Sequence, residues 1–340
     1  MRAVWLTGHG GPDSFQVRES PDPAPMAGQV RVRVHVAGLN FAELMASQGL
    51  YPDAPPTPVV LGYEAAGVID AVGQGVSQDL IGRRVMVFCK FGAHSELICV
   101  DARLTFPMPD SMSFEEGAAL PVNYLTAYHM LFHVGALRAG ESVLVHMAAG
   151  GVGIAALQLC RTVQNVVTFG TASAAKHDVI RANGCTYPID YRTKDYVAEV
   201  TRLSQGAGVD ISLNALGGDT LRKDYGLLKP VGRLIAFGFA NLIGGPKRNM
   251  LRVLGQLRSV PKFDMMKMMS QNRSVAGVNT LHLFDKVPAL MLGELQAVIK
   301  LYDGGAITPI IDQVVPFAKA PDAFRRLQEG KNVGKVLLAP

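Results

Sequence analysis

The chain has 340 residues, 49% of them hydrophobic and 18% charged, which excludes a disordered tail protein and a collagen-like repeat. At that length two domains are expected rather than one small core. The formal net charge of +5 is local: residues 246–273 carry seven basic side chains against Asp264 alone, and the other 312 residues sum to −1, which argues against a nucleic-acid binder.

Taken in chain order, residues 30–36 alternate apolar and polar, as a half-buried strand does. Residues 59–61, 66–72 and 84–88 continue the pattern and predict a mostly-β region. The character changes near Glu116. A helical pattern covers 116–134; strands at 143–146, 166–170, 187–190, 209–213 and 233–237 then alternate with helices running to 164 and over 174–183, 196–203 and 219–228. That alternation predicts βαβ units and a parallel sheet, with 274–278 as a sixth strand. Between the last two strands, Met250, Leu251, Leu254, Leu257 and Val260 recur at helical spacing among Arg252 and Arg258; Pro261 breaks the run, and 263–269 predicts a second helix. Residues 336–338 read as a closing strand.

No segment reads as a membrane span. Residues 142–160 lack Asp, Glu, Lys and Arg, but His146 and the glycines at 150, 151 and 153 mark a strand, a turn and a helix instead. The first residues run into a short strand and turn without a signal-peptide core. Cys89, Cys99, Cys160 and Cys185 are too few and scattered for a disulfide framework, so a reducing, cytoplasmic setting is expected.

Ala148-Ala149-Gly150-Gly151-Val152-Gly153 follows a predicted strand and opens a helix, matching the dinucleotide fingerprint with Ala148 in place of the first glycine. Gly150 allows close approach of a pyrophosphate and Gly153 close packing of helix on strand, with Ala149, Gly151 and Val152 completing the cradle. The next strand ends in Gly170, Thr171 and Ser173 with Lys176 beyond and no acid before Asp178. Hydroxyls and a lysine suit a 2′-phosphate, so NADPH is expected over NADH, with Tyr191 as a further phosphate contact. Leu216, Phe237, Gly238, Phe239 and Val278 lie at later strand ends, where the nicotinamide half binds.

These motifs, with Gly62-Tyr63-Glu64-Ala65-Ala66-Gly67 and Asn40 to Tyr51, resemble the medium-chain dehydrogenase/reductase superfamily in its zeta-crystallin-like quinone oxidoreductase branch. The sequence is most similar there to the vesicle amine transport subfamily, through Phe169 to Ser173, Gly245 to Asn249 and Lys331 to Leu338. The resemblance implies an α/β fold in which a GroES-like catalytic domain (residues 1–122 and 279–340) carries an inserted Rossmann domain (residues 123–278), usually as a homodimer. It also implies that Thr126 lies beside the nicotinamide and that Asn332 touches the cofactor.

The superfamily's zinc alcohol dehydrogenases bind metal through Cys, His and Cys; the matching positions look like Asn40, Tyr63 and Val122, so no metal is expected. His129 and His133, four apart on a helix, show no third ligand in the sequence. Without zinc a carbonyl must be polarised by hydrogen bonds, which favours quinones and α,β-unsaturated carbonyls. Tyr51 is the expected donor to the substrate carbonyl, with Tyr51 or water as proton source and Asn40 holding substrate or ribose. The alternatives are an enoyl reductase or tailoring enzyme on a biosynthetic intermediate, and a lipid-associating protein of weak activity that touches membranes through 246–273. The other readings of that segment are a helical flap over the substrate cleft or a dimer-edge element.

Overall fold

A computed structural model of the protein describes residues 1–245 and 248–340; Pro246 and Lys247, inside the basic segment and the Gly245 to Asn249 motif, lie outside the described residues. Contacts divide the chain into two units. One comprises Met1–Val122, Gly245–Arg248 and Pro309–Pro340; the other comprises Asn123–Gly244 and Asn249–Thr308.

The first unit is built on a seven-stranded sheet. Along it run Ile311–Pro316, Lys335–Ala339, Gln29–Gly38, Glu64–Val72, Arg84–Phe88 and Thr105–Pro107, with Leu97–Asp101 also pairing to Gln29–Gly38. The alternation of the first predicted strand is what this sheet needs. Val30, Val32 and Val34 point into a core with Ile69, Val85, Val87 and Ile98, while Arg31 and Arg33 turn outward to Asp70. Leu337 and Leu338 pair antiparallel with Gly38 and Ala37, so the end of the chain completes a sheet begun near its start.

The second unit holds a six-stranded sheet in the order Tyr187–Asp190, Val167–Ala172, Ser142–Val145, Val209–Asn214, Leu228–Ala236, Ser274–Gly277. Every pair in it is parallel. The chain leaves the central Ser142–Val145 strand first to one side and later to the other, which creates a topological switch point at its carboxyl end.

Three expectations are corrected. The helix read over 116–134 is three pieces: Phe114–Ala119, Pro121–Tyr128 and a π-helix at His129–Val134. Pro121 has no N–H to continue the first helix, and the division between the units falls beside it. The helix after the glycine motif ends at Cys160 rather than Gln164. The second unit also runs on to Thr308 instead of ending at Val278, because Met291, Leu295 and Val298 of helix Pro288–Asp303 are buried in it.

The basic segment forms the helices Met250–Arg258 and Met265–Gln271, capped by the side chains of Asn249 and Asp264. Among the described residues no helix is long and apolar enough to cross a membrane.

Candidate functional site

The glycine turn follows the Ser142–Val145 strand. Met147 takes a left-handed backbone (φ 51°), and its carbonyl accepts the Gly150 N–H at 2.8 Å. A Cβ on Gly153 would stand 2.4 Å from that same carbonyl, so a larger residue there would push the helix off the turn. A Cβ on Gly150 would meet nothing nearer than 3.3 Å, leaving its approach open. Helix Gly151–Cys160 starts at Gly150 without a side-chain cap, which leaves its first N–H groups and its positive dipole end for an anion. A dinucleotide pyrophosphate fits this cradle.

Behind the turn sits a buried network that the sequence did not reveal. Asp224, fully buried, accepts hydrogen bonds from Ser212 Oγ (2.8 Å), Asn214 Nδ2 (2.7 Å) and Tyr196 Oη (2.8 Å), and pairs with His146 Nε2 at 3.0 Å. Burial works to raise its pKa, but His146 and the donors from Asn214 and Ser212 outweigh that and hold it below the usual carboxylate range. The other His146 nitrogen meets Thr171 Oγ1 at 3.2 Å. The hydroxyl of Thr171 is therefore turned inward, contrary to its expected phosphate contact, and Thr171 helps to set the ends of three strands. Gly170 is likewise a packing position: a Cβ there would lie 2.7 Å from Cys185 Sγ.

The 2′-phosphate candidates lie at neighbouring strand ends. Ala172 is paired in register with Asp190, so Ser173 and Lys176 leave one strand beside Tyr191 and Arg192 leaving the next. Tyr191 is 55% exposed. Asp190 is held below its ordinary range chiefly by the Arg192 backbone N–H, which fixes this turn. Arg192 was missed; its signal was a basic residue directly after Tyr191. Leu216 donates its N–H to Asn214 Oδ1 at 2.9 Å, and Val278 to Ala236 O at 2.9 Å, which ties both to strand ends along with the Phe237, Gly238 and Phe239 turn. Thr126 Oγ1 lies 2.9 Å from Thr280 Oγ1 in the same unit.

In the first unit, Asn40 caps helix Phe41–Ser47 in a capping box with Glu43. Asn40 Nδ2 donates to Glu64 Oε1 at 3.1 Å and Lys335 Nζ donates to Asn40 Oδ1 at 2.7 Å. Lys335 also makes an ion pair with Glu64, both buried, and the Val122 N–H donates to Glu64 Oε2 at 2.7 Å. The Asn40 amide is thus engaged on both sides, by Glu64 and by Lys335, which fixes its orientation in the fold. Asn332, 7% exposed, donates to Gly334 O at 2.9 Å within its own loop.

Beside this lock lie three buried polar atoms without a hydrogen-bond partner: Glu43 Oε1, His94 Nδ1 and Tyr63 Oη. Burial pushes the Glu43 carboxyl up to about 8 and His94 down to about 4. The Tyr51 phenol faces that of Tyr63, and burial and the nearby Asp53 charge raise its pKa to about 12.

Comparison with known proteins finds two family signatures in this chain. The signature of the alcohol dehydrogenase GroES-like domain covers residues 26–110, and that of the zinc-binding dehydrogenase covers residues 183–338. The synaptic vesicle membrane protein VAT-1 homolog of Rattus norvegicus is 50% identical over 342 aligned positions, spanning 100% of this chain and 84% of the relative. The chain belongs to the medium-chain dehydrogenase/reductase superfamily. Among its solved members, the Escherichia coli quinone oxidoreductase complexed with NADPH superposes with a TM-score of 0.87 at 26% identity, covering 100% of both chains. The CurK enoyl reductase does so with 0.85 at 27% identity, over 99% of this chain and 98% of that one.

The three positions that look like the superfamily's zinc ligands carry other groups. Asn40 is locked to Glu64 and Lys335, Tyr63 is a buried phenol, and Val122 offers only its backbone N–H, already donated to Glu64. These residues do not make a zinc centre.

Proposed function

We propose that the protein is a zinc-independent, NADPH-dependent reductase that transfers hydride to a quinone or an α,β-unsaturated carbonyl. Two observations carry this: the Asn40–Glu64–Lys335 lock at the positions that look like the zinc ligands, and the open Gly150 cradle in the other unit. NADPH, when bound, supplies the hydride. The Gly150 to Gly153 turn and the helix start after it hold the pyrophosphate. Ser173, Lys176, Tyr191 and Arg192 receive the 2′-phosphate, and Thr126, Leu216, Phe237, Gly238, Phe239 and Val278 line the nicotinamide half. Tyr51 donates a hydrogen bond to the substrate oxygen as negative charge builds on it. Its raised pKa keeps it in the donor form until that oxygen becomes basic enough to take the proton. A conjugated acceptor suits this best, since its charge delocalises to an oxygen remote from the carbon that receives hydride.

The test is a panel of quinones, enones and carrier-type enoyl thioesters with NADPH consumption as readout, beside calorimetry of NADPH and NADH. Turnover of conjugated acceptors with NADPH preferred supports the reading. Turnover restricted to simple alcohols and ketones, or equal affinity for the two cofactors, overturns it. Turnover restricted to the thioesters assigns the enoyl reductase variant.

A second reading concerns location. Leu251 (83% exposed), Met266 (74%) and Met269 (68%) stand out from helices that also carry Arg252, Arg258 and Lys267. Such a surface suits an anionic membrane, which would place a cytoplasmic enzyme peripherally on it. The edge strand Ser274–Gly277 in turn suits a homodimer. Co-sedimentation with phosphatidylserine vesicles at two salt concentrations tests the first, and sedimentation velocity tests the second.

A further inference from the structure

We propose that His129, His133 and Glu294 form a binding site for a divalent transition-metal ion of the zinc class, held within the second unit. The inference does not rest on the reductase reading. In sequence the two histidines lack a third ligand; the fold supplies it from helix Pro288–Asp303. The three side chains each offer a ligand atom, all within 4.8 Å of one another.

The histidines are presented by a built element. They open and nearly close the π-helix His129–Val134, where Gly135 N–H donates to Met130 O at 2.8 Å. π turns are uncommon and frequently mark functional sites. A Cβ on Gly135 would lie 2.6 Å from the Met130 carbonyl, so this closure needs glycine. Arg233 holds the turn from outside: its Nε donates to Gly135 O at 2.7 Å while Nη1 pairs with Glu141 at 2.8 Å. The wide turn stacks the two imidazoles at 4.9 Å and 13°, both presenting Nδ1 to the same carboxylate. The distances are 3.0 Å from His129 Nδ1 to Glu294 Oε2 and 3.4 Å from His133 Nδ1 to Oε1.

The chemistry of the set points to a cation. The Glu294 side chain is 8% exposed, and its ion-pair partners among the described residues are these two imidazoles rather than a lysine or arginine. A buried carboxylate is costly without a compensating positive charge. With metal–ligand bonds of about 2.0–2.1 Å a tetrahedral edge is about 3.3–3.4 Å, so the 3.4 Å separation already has that spacing and the 3.0 Å one needs to open by only a few tenths of an ångström. His133 is 50% exposed, which gives an entry path and an open fourth position for water. Two imidazoles and one carboxylate select zinc, cobalt or nickel over magnesium and calcium. His129 Nδ1 is within hydrogen-bond distance of Glu294; a metal bound at Nδ1 would leave each neutral imidazole with its proton on Nε2, with no net release. The bound ion would fasten the π turn to helix Pro288–Asp303.

The test titrates the chelator-treated full chain with Co²⁺, followed by visible absorption and competed with Zn²⁺ or Mg²⁺. The expected result is one tetrahedral-type cobalt spectrum per chain, displaced by Zn²⁺ and not by Mg²⁺, with a rise in Tm in Zn²⁺. His133→Ala, at a half-exposed position, and Glu294→Gln should each weaken Co²⁺ by more than about tenfold and abolish the Tm rise. Unchanged affinity in both variants, a sulfur-to-cobalt charge-transfer band, or no cobalt spectrum in the wild type overturns the proposal.

Discussion

Replacing Glu43 by glutamine probes the buried polar cluster that holds Tyr63. Glu43 is fully buried; Oε2 accepts the Asn40 N–H at 2.9 Å and Oε1 has no partner. Burial outweighs that bond and the Lys335 charge and carries its pKa from 4.5 to about 8. The folded protein therefore keeps a proton that the unfolded chain has lost, and this contribution, complete below pH 4.5, disappears as pH rises through about 8. His94 works in the opposite sense: lowered from 6.5 to about 4 by burial, its contribution is present above pH 6.5 and lost as pH falls through about 4. Between pH 4.5 and 6.5 the two slopes cancel, and from 6.5 to 8 Glu43 acts alone. At about 1.4 kcal/mol per pH unit, unfolding free energy should fall by about 2 kcal/mol over that last window. Glutamine keeps an oxygen for the Asn40 N–H, so the helix cap survives. Urea unfolding followed by Trp5, the one tryptophan and a residue of the first unit, reads the effect where it occurs. Glu43→Gln should lose the decline above pH 6.5 and expose the His94 rise below it. A wild type flat from pH 6.5 to 8, or the same decline in the variant, refutes the reasoning.

Lys335→Met leaves the Glu64 carboxylate buried and unpaired, and should cost about 3–5 kcal/mol in chemical denaturation; adding Glu64→Leu should recover much of it. Gly150→Ala should keep the fold, since its Cβ has 3.3 Å of room. It should still weaken NADPH in calorimetry by about tenfold, the equivalent of one charged hydrogen bond. Tyr51→Phe should lower kcat/KM on conjugated acceptors about 100-fold with thermal stability unchanged. Lys176→Glu should erase the preference for NADPH over NADH while leaving NADH binding nearly constant.

What the sequence disclosed follows the range of the forces involved. Strands such as Arg84–Phe88 and Tyr187–Asp190, and the helix Tyr196–Leu203, were legible to the residue because alternation, helical spacing and flanking turn residues are local. The glycine cradle was legible for the same reason. The π-helix was not: its six residues carry an ordinary helical pattern, and it is set by Arg233 reaching in from a strand about a hundred positions away. The engagement of Asn40 was not legible either, because Glu64 and Lys335 are joined to it only by the fold. Thr171 shares that history, since an inward hydroxyl and an outward one look alike until His146 is placed beside it.

The Lys335–Glu64 pair joins positions 271 residues apart, and the sheet around it is finished by the last strand of the chain. During synthesis at about 5–20 residues per second, the parallel-sheet unit can emerge and close while the surrounding unit still lacks its final strand. Through that interval Glu64 lacks its Lys335 counter-ion and the Ala37–Gly38 end of the Gln29–Gly38 strand lacks its partner. A nascent chain stalled before Lys335 should therefore present a completed nucleotide-binding half tethered to an open, protease-sensitive partner. The order of translation, rather than any property of the finished molecule, makes Glu64 and the Gln29–Gly38 strand wait for Lys335–Ala339.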